Sequence, residues 1–169
     1  MRYTNVPSPV GELLVAASDQ GLSTIVFETW RHGPTDGDRA SWEPDDGRGP
    51  AGEILAEART QLGEYFARTR TTFDLPLDLS GTPFQLAVWQ ALRKIPYGST
   101  ISYGELARRV RSPSGSRAVG AANGRNPVVI VVPCHRVIGA DGDLTGFGGG
   151  MERKRWLLEH EGGVKELFE

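Results

Sequence analysis

Short apolar-rich stretches open the chain, around residues 2–5, 12–17 and 22–28, and turn-forming clusters separate them. Pro7-Ser8-Pro9-Val10-Gly11 and Asp19-Gln20-Gly21 are such punctuation, so the first 28 residues predict a β meander. Residues 30–52 are rich in Gly, Pro and Asp and predict a long loop. From 53 to 68 the apolar residues Ile54, Leu55, Ala58, Leu62, Tyr65 and Phe66 recur at helical spacing. Residues 72–75 predict a returning strand. This half is a small α/β unit with no cluster of reactive side chains.

The pattern changes near Ser80-Gly81. Thr82-Pro83-Phe84-Gln85 starts a helix, with threonine as cap, proline at the first position and glutamine three residues after the cap. That helix runs to about Lys94 and stops at Pro96-Tyr97-Gly98. Ser102-Tyr103-Gly104-Glu105 repeats the capping pattern and opens a helix to about Arg109. After the turn Ser112-Pro113-Ser114-Gly115, a short helix covers residues 116–123. Two short helices so joined make a helix-turn-helix candidate. Five aliphatic residues, Val128, Val129, Ile130, Val131 and Val132, then read as a buried strand running through Pro133 into Cys134. Gly146-Phe147-Gly148-Gly149-Gly150 precedes a last helix, 151–161. The expected domains are 1–79 and 80–169.

Composition narrows the chemistry. The 169 residues hold one cysteine, which excludes an internal disulfide and a thiolate-rich zinc site. No apolar run reaches the roughly 20 residues that span a bilayer, and the N-terminus has no signal-peptide pattern. A reducing, cytoplasmic setting is expected. The net charge of −2 averages two unlike halves. Residues 1–80 carry 7 basic against 13 acidic side chains, and residues 81–160 carry 11 against 5. The second half is the one suited to a polyanion.

Cys134 lies beside His135 and Arg136, neighbours that favour the reactive thiolate. Adjacent residues on a helical segment do not face each other, so a proton passing between Cys134 and His135 needs a bridging water. A carboxylate should orient the imidazole, and the last helix offers Glu159 and Glu161. The 116–123 helix carries one long side chain, Arg117, among small ones. That surface suits close docking on a groove without a sequence code. The glycine cluster has the wrong spacing for a dinucleotide fingerprint, but it can bare backbone N–H groups to a ligand.

Taken together these motifs resemble the O6-alkylguanine-DNA alkyltransferase family, the methylated-DNA–protein-cysteine methyltransferases. The likeness rests on Pro133-Cys134-His135-Arg136-Val137-Ile138-Gly139. Ile95-Pro96-Tyr97-Gly98, Ser102-Tyr103-Gly104, Arg117-Ala118-Val119-Gly120, Asn126-Pro127 and Glu161-Gly162 reinforce it. It covers residues 80–162 in order.

The resemblance implies an α+β fold. Its parts would be an N-terminal ribonuclease-H-like domain, an antiparallel sheet with a helix, and a mainly helical C-terminal domain with a winged-helix-like helix-turn-helix. It also implies direct DNA repair: an O6-alkylguanine (or O4-alkylthymine) is flipped from the duplex, and its alkyl group moves irreversibly to Cys134. His135 would activate the thiol through water and Glu161 would hold the imidazole. Asn126 would brace the turn before the cysteine, and Tyr103 would help turn the phosphate and donate to the purine ring. The carbonyls of Cys134 and Val137 and the amide of Gly148 would hold the purine edge, with Phe147 on the pocket wall. Arg117 would fill the vacated stack, and Ser102, Ala118, Ala121 and Asn123 would join it on DNA.

No cofactor and no metal is implied. The expected partner is double-stranded DNA, bound by a monomer that can assemble cooperatively and with little sequence preference. Two other readings compete: a helix-turn-helix regulator with a sensor cysteine, which predicts one preferred DNA sequence, and a cysteine hydrolase, which predicts turnover.

Overall fold

In the computed structural model, which describes residues 1–113, 115–142, 144 and 147–162, the N-terminal meander forms as its turns dictate. Strands β1 (Arg2–Val6), β2 (Leu13–Ala17) and β3 (Leu22–Phe27) pair antiparallel, Val6 opposite Leu13 and Leu13 opposite Phe27, with a register shift at Ala16/Ala17. The 30–52 segment has more order than a loop. It holds a one-turn helix α1 (Asp36–Arg39), closed by a Thr35 capping box, and a two-residue strand β4 (Glu43–Pro44) that adds parallel to β1. The sheet order is β3-β2-β1-β4.

Helix α2 (Gly49–Phe66) begins earlier than its apolar spacing suggests, because Pro50 sits in its first turn. Its buried face of Ala51, Leu55, Ala58, Leu62 and Tyr65 packs on β1 and β2. The expected strand at 72–75 does not form. Gln61 on α2 instead holds Asp74 by two main-chain hydrogen bonds, at 3.0 and 2.9 Å. Pairing with β3 shrinks to the single bridge Leu22–Leu77, next to Pro76, which has no N–H to continue a ladder.

The chain divides into two compact units, Met1–Ser80 and Gly81–Glu169. In the second, α3 (Pro83–Leu92) starts on a complete capping box between Thr82 and Gln85. A two-residue strand β5 (Ile101–Ser102) leads into α4 (Tyr103–Arg109). The Ser102 hydroxyl accepts from the Glu105 amide at 3.0 Å, but the Glu105 carboxylate turns to Arg108 and Arg109, so only half of the expected box forms. Helix α5 (Gly115–Gly124) packs on both α3 and α4, completing the helix-turn-helix, and Trp89 of α3 donates to the Ala122 carbonyl of α5 at 2.9 Å. Ser114 of the joining turn lies outside the described residues.

Residues 128–132 are buried, as their composition demands, but they are not a strand. Val131 N–H reaches back to the Val129 carbonyl at 2.8 Å and Val132 N–H to Val128 at 3.0 Å, folding the run into overlapping turns. Ile130 takes a positive φ of 74°, which a β-branched residue adopts only under strain, at a cost of about 1–3 kcal/mol. Asn126 holds the turns closed. Its Oδ1 accepts from Val128 N at 2.9 Å and its Nδ2 donates to Val132 O at 2.7 Å. A 3-10 turn, Cys134–Arg136, then leads into β6 (Val137–Ile138), parallel to β5. Helix α6 (Met151–Glu161) ends on Gly162, whose φ of 75° supplies the left-handed cap. Among the described residues no helix is long and apolar enough to cross a membrane. Sheet plus helix in one unit and helices around a short β pair in the other make the fold α+β.

Candidate functional site

The strained turns deliver Cys134 to the interior at 1% exposure, at the start of the 3-10 turn. The next two residues point at one carboxylate. His135 Nε2 lies 2.8 Å from Glu161 Oε2, and Arg136 binds the same carboxylate through Nε at 2.8 Å and Nη2 at 3.0 Å. Of the two acidic candidates in α6, Glu161 is therefore the partner, while Glu159 is exposed. Arg136 is further fixed by the Ile95 carbonyl at 2.7 Å and lies 5.8 Å over the Tyr97 ring. Gly98 has a φ of 81°, and a Cβ there would come within 3.3 Å of the Glu161 carbonyl. The Ile-Pro-Tyr-Gly segment thus forms the seat on which the Arg136–Glu161 pair rests.

The electrostatics overturn one expectation. Arg136 is committed to Glu161, so it does not serve the sulfur. Burial pushes the Cys134 thiol up to about 11, against a side-chain hydrogen bond from Asn126 and the charge of Lys154. The resting group is a thiol, and a base has to take its proton. Burial pushes the His135 imidazole below its usual range, against the pull of Glu161, so it is neutral near pH 7. Burial alone would raise Glu161, but His135 and Arg136 outweigh it and hold the carboxyl well below the usual range. His135 Nδ1 is buried with no hydrogen-bond partner among the described residues, which leaves the nitrogen opposite Glu161 able to accept a proton. Burial, and then the nearness of Cys134, raise the Tyr103 hydroxyl to about 12, so it keeps its proton and is available as a donor.

Lys154 was not foreseen. It is wholly buried; its Nζ donates to the Val137 carbonyl at 2.6 Å and lies 5.8 Å from the Tyr103 ring and 5.9 Å from that of Phe147. The run Glu152-Arg153-Lys154-Arg155 reads as a solvated charge cluster. Yet Lys154 shares a helical stripe with Leu157, Leu158 and Glu161, and that phase was the available signal.

The structure thus brings Cys134, His135, Glu161, Asn126 and Tyr103 into one interior site with Val137 and Phe147; Gly148 is half-buried. Gly146 lies outside the described residues. On α5, Arg117 and Ala121 are exposed and Ala118 is half-buried, while half-buried Ser102 caps α4. Asn123 is a correction. It is 2% exposed, on the inner stripe with Val119 and Ala122, and its Nδ2 points to the Cys134 carbonyl at 3.4 Å. A side chain so enclosed does not reach a groove.

The second unit thus holds a buried cysteine, next in sequence to an imidazole that a carboxylate holds, beneath a helix-turn-helix of the kind that docks on DNA. Models for the 6-O-methylguanine DNA methyltransferase ribonuclease-like domain and DNA binding domain match residues 1–79 and 83–163, and the chain belongs to that family. It is similar to the methylated-DNA–protein-cysteine methyltransferase of Mycobacterium tuberculosis, 48% identical over 95% of this chain and 92% of that one. A Methanosarcina acetivorans protein of the same name is 44% identical over 96% and 99%. The crystal structure of Mycobacterium tuberculosis OGT in complex with DNA superposes with a TM-score of 0.86 at 47% identity, covering 96% of this chain and 93% of that one. The activity is therefore DNA repair by alkyl transfer to a cysteine of the protein, which is used once.

Proposed function

We propose that the acceptor is Cys134 and that the donor is an O6-alkylguanine, or an O4-alkylthymine, swung out of double-stranded DNA. The sequence offers no other cysteine. The observation that carries the assignment is the Cys134–His135–Glu161 arrangement: a thiol pushed up to about 11 beside a neutral buried imidazole whose other nitrogen is pinned at 2.8 Å by a carboxylate.

The step follows. His135 Nδ1 takes the thiol proton through one water, and Glu161, itself fixed by Arg136, holds the imidazole ring as it becomes charged. The sulfur lone pair attacks the alkyl carbon. The carbon–O6 bond breaks with its electron pair going to the purine oxygen, and the charge spreads into the ring. Tyr103 donates a hydrogen bond to the ring nitrogen and stabilises that charge, and the proton that His135 took from the thiol passes through water to the released base, so guanine leaves neutral and His135 returns to its resting form. The carbonyls of Cys134 and Val137 and the amide of Gly148 orient the purine edge, with Phe147 against its face. A thioether has no exchange route back to the thiol, so each molecule reacts once.

Flipping a base costs a few kcal/mol. Arg117, exposed on α5, offsets this by filling the gap, while Ser102, Ala118 and Ala121 let the helix approach the backbone. Such docking has little sequence preference, which separates this function from that of a regulator. The binding unit is a monomer that can line up cooperatively along DNA. A cysteine that must remain reduced fits a cytoplasmic setting.

The pH dependence of the single-turnover rate tests the proton path. With His135 as internal base the rate is flat from about pH 9 down past 6.5, the ordinary histidine value, and falls only below the lowered imidazole pKa. A rate rising tenfold per pH unit across the same range, toward the thiol value of about 11, would mean that solvent ionises the sulfur and would remove His135 from the step.

A further inference from the structure

Gly104 has no local reason to be glycine. It lies inside α4 without a positive φ, where alanine would favour the helix more. Beyond its chain neighbours and the helix backbone, a Cβ there would meet no atom closer than 3.8 Å. What the missing side chain leaves is a depression ringed by three polar atoms. Arg108 Nη1 and Ser102 Oγ each lie 3.8 Å from the Cβ position, and Ser116 Oγ lies at 3.9 Å. All three can donate. Glu105 Oε2 holds Arg108 through Nε at 3.0 Å and Nη2 at 2.8 Å, which fixes the guanidinium with Nη1 at the depression. Ser102 Oγ accepts from the Glu105 amide and still has its own proton to give. Among the described residues, neither hydroxyl nor Nη1 has an acceptor. Glu105 also takes Arg109 Nε at 3.2 Å, so one carboxylate is set against two cations and the surround stays positive.

We propose that this depression is a seat for one backbone phosphodiester of the docked duplex. A phosphate oxygen over Gly104 takes the Arg108 N–H and the two hydroxyls, and Glu105 acts by holding Arg108 in place. A phosphodiester is a compact anion that only accepts, which matches three donors and a positive surround; a base edge would bring donors as well. Ser102 precedes Tyr103, Ser116 precedes Arg117, and α4 packs on α5, so the seat adjoins the residues assigned to DNA. It adds affinity and register without reading sequence. The inference rests on the docking of this face on DNA.

Duplex affinity measured across a range of salt, for the wild type, Gly104→Ala and Arg108→Gln, tests the seat. Gly104→Ala leaves every charge in place and puts a methyl group where the phosphate oxygen would lie. It should weaken binding about tenfold, the worth of one hydrogen bond to a charged group, and melt no lower than the wild type. Arg108→Gln should weaken binding by a similar factor and reduce the slope of log affinity on log salt by about 0.9, one phosphate contact. Duplexes carrying one uncharged methylphosphonate at a time then locate the ligand. At one position near the lesion the change should weaken the wild type about tenfold and Arg108→Gln less than about twofold, because the two losses are the same contact. Wild-type affinity retained in Gly104→Ala, or no position at which the two losses overlap, overturns the seat and leaves the docking of the face standing. Wild-type binding that does not respond to salt overturns the docking itself, and the seat with it.

Discussion

The two units spend their interiors differently. Among the described residues, the N-terminal unit buries no acidic or basic side chain; its inner polar groups are Thr24 and Gln61. The C-terminal unit buries Asn123, Asn126, His135, Arg136, Lys154, His160 and Glu161. One is an apolar core of strand and helix faces. The other encloses two cations and a carboxylate and holds Ile130 in a strained turn. A buried charge persists only when it is paired and hydrogen-bonded, and such pairs often stabilise less than apolar residues of the same size. The polar interior therefore marks where chemistry, and not stability, has set the sequence.

Glu161→Gln should separate the units most sharply. Losing the carboxylate strands Arg136 and releases His135, at about 3–5 kcal/mol of stability. The transfer rate should fall about 10²–10⁴-fold, the worth of general-base help. Denaturant melts and single-turnover kinetics read both. Unfolding of the C-terminal unit alone, with the N-terminal unit intact, would sharpen the contrast. A variant as stable and active as the wild type would break it.

Acid should act next, and on one unit first. The folded pKa values of both Glu161 and His135 are lowered. In each case the unfolded chain holds more protons, so stability rises with pH. The His135 contribution is complete above about 6.5 and fades as the pH falls through the lower folded value; the Glu161 contribution is complete above about 4.5 and fades below it. Hydrogen exchange at falling pH should show the segment around Cys134 opening before the β1–β3 meander. Simultaneous loss would contradict the distinction.

Asn126→Ala should cost about 1–3 kcal/mol by chemical denaturation, because the Val128 N–H is left buried and unpaired, while the Val132 carbonyl keeps the Cys134 amide. Arg117→Ala should leave stability unchanged, slow repair of duplex lesions about tenfold and slow reaction with free O6-benzylguanine less than twofold; equal losses would remove the wedge. The smallest effect belongs to the N-terminal unit. Glu64→Gln breaks the half-exposed Arg70 pair and should move stability by less than about 1 kcal/mol, with no change in rate.

Much of this was legible in the chain because local chemistry decided it. Thr82 with Gln85 and Ser102 with Glu105 announced their helices, and α6 spans the residues its spacing requires. The Cys134–His135 pair and Glu161 were readable as motif and candidate carboxylate. The 128–132 run was not, because a short apolar stretch reports burial but not conformation. Only Asn126, whose side chain bonds the backbone two residues on, hinted at a turn. Asn123 was misplaced by its type, although its helical phase with Val119 and Ala122 set it inward. Beside Cys134 in the sequence Arg136 reads as a partner of the sulfur, because no local rule tells that a distant glutamate binds both it and His135.

The most direct test of the central claim is mass spectrometry of the peptide containing Cys134, after the protein meets excess duplex bearing O6-methylguanine. One methyl group on Cys134 per molecule, with repair halting at that stoichiometry and no adduct in Cys134→Ser, is the predicted result. An unmodified thiol after several lesions have been cleared per molecule, or a methyl group on another residue, would contradict it.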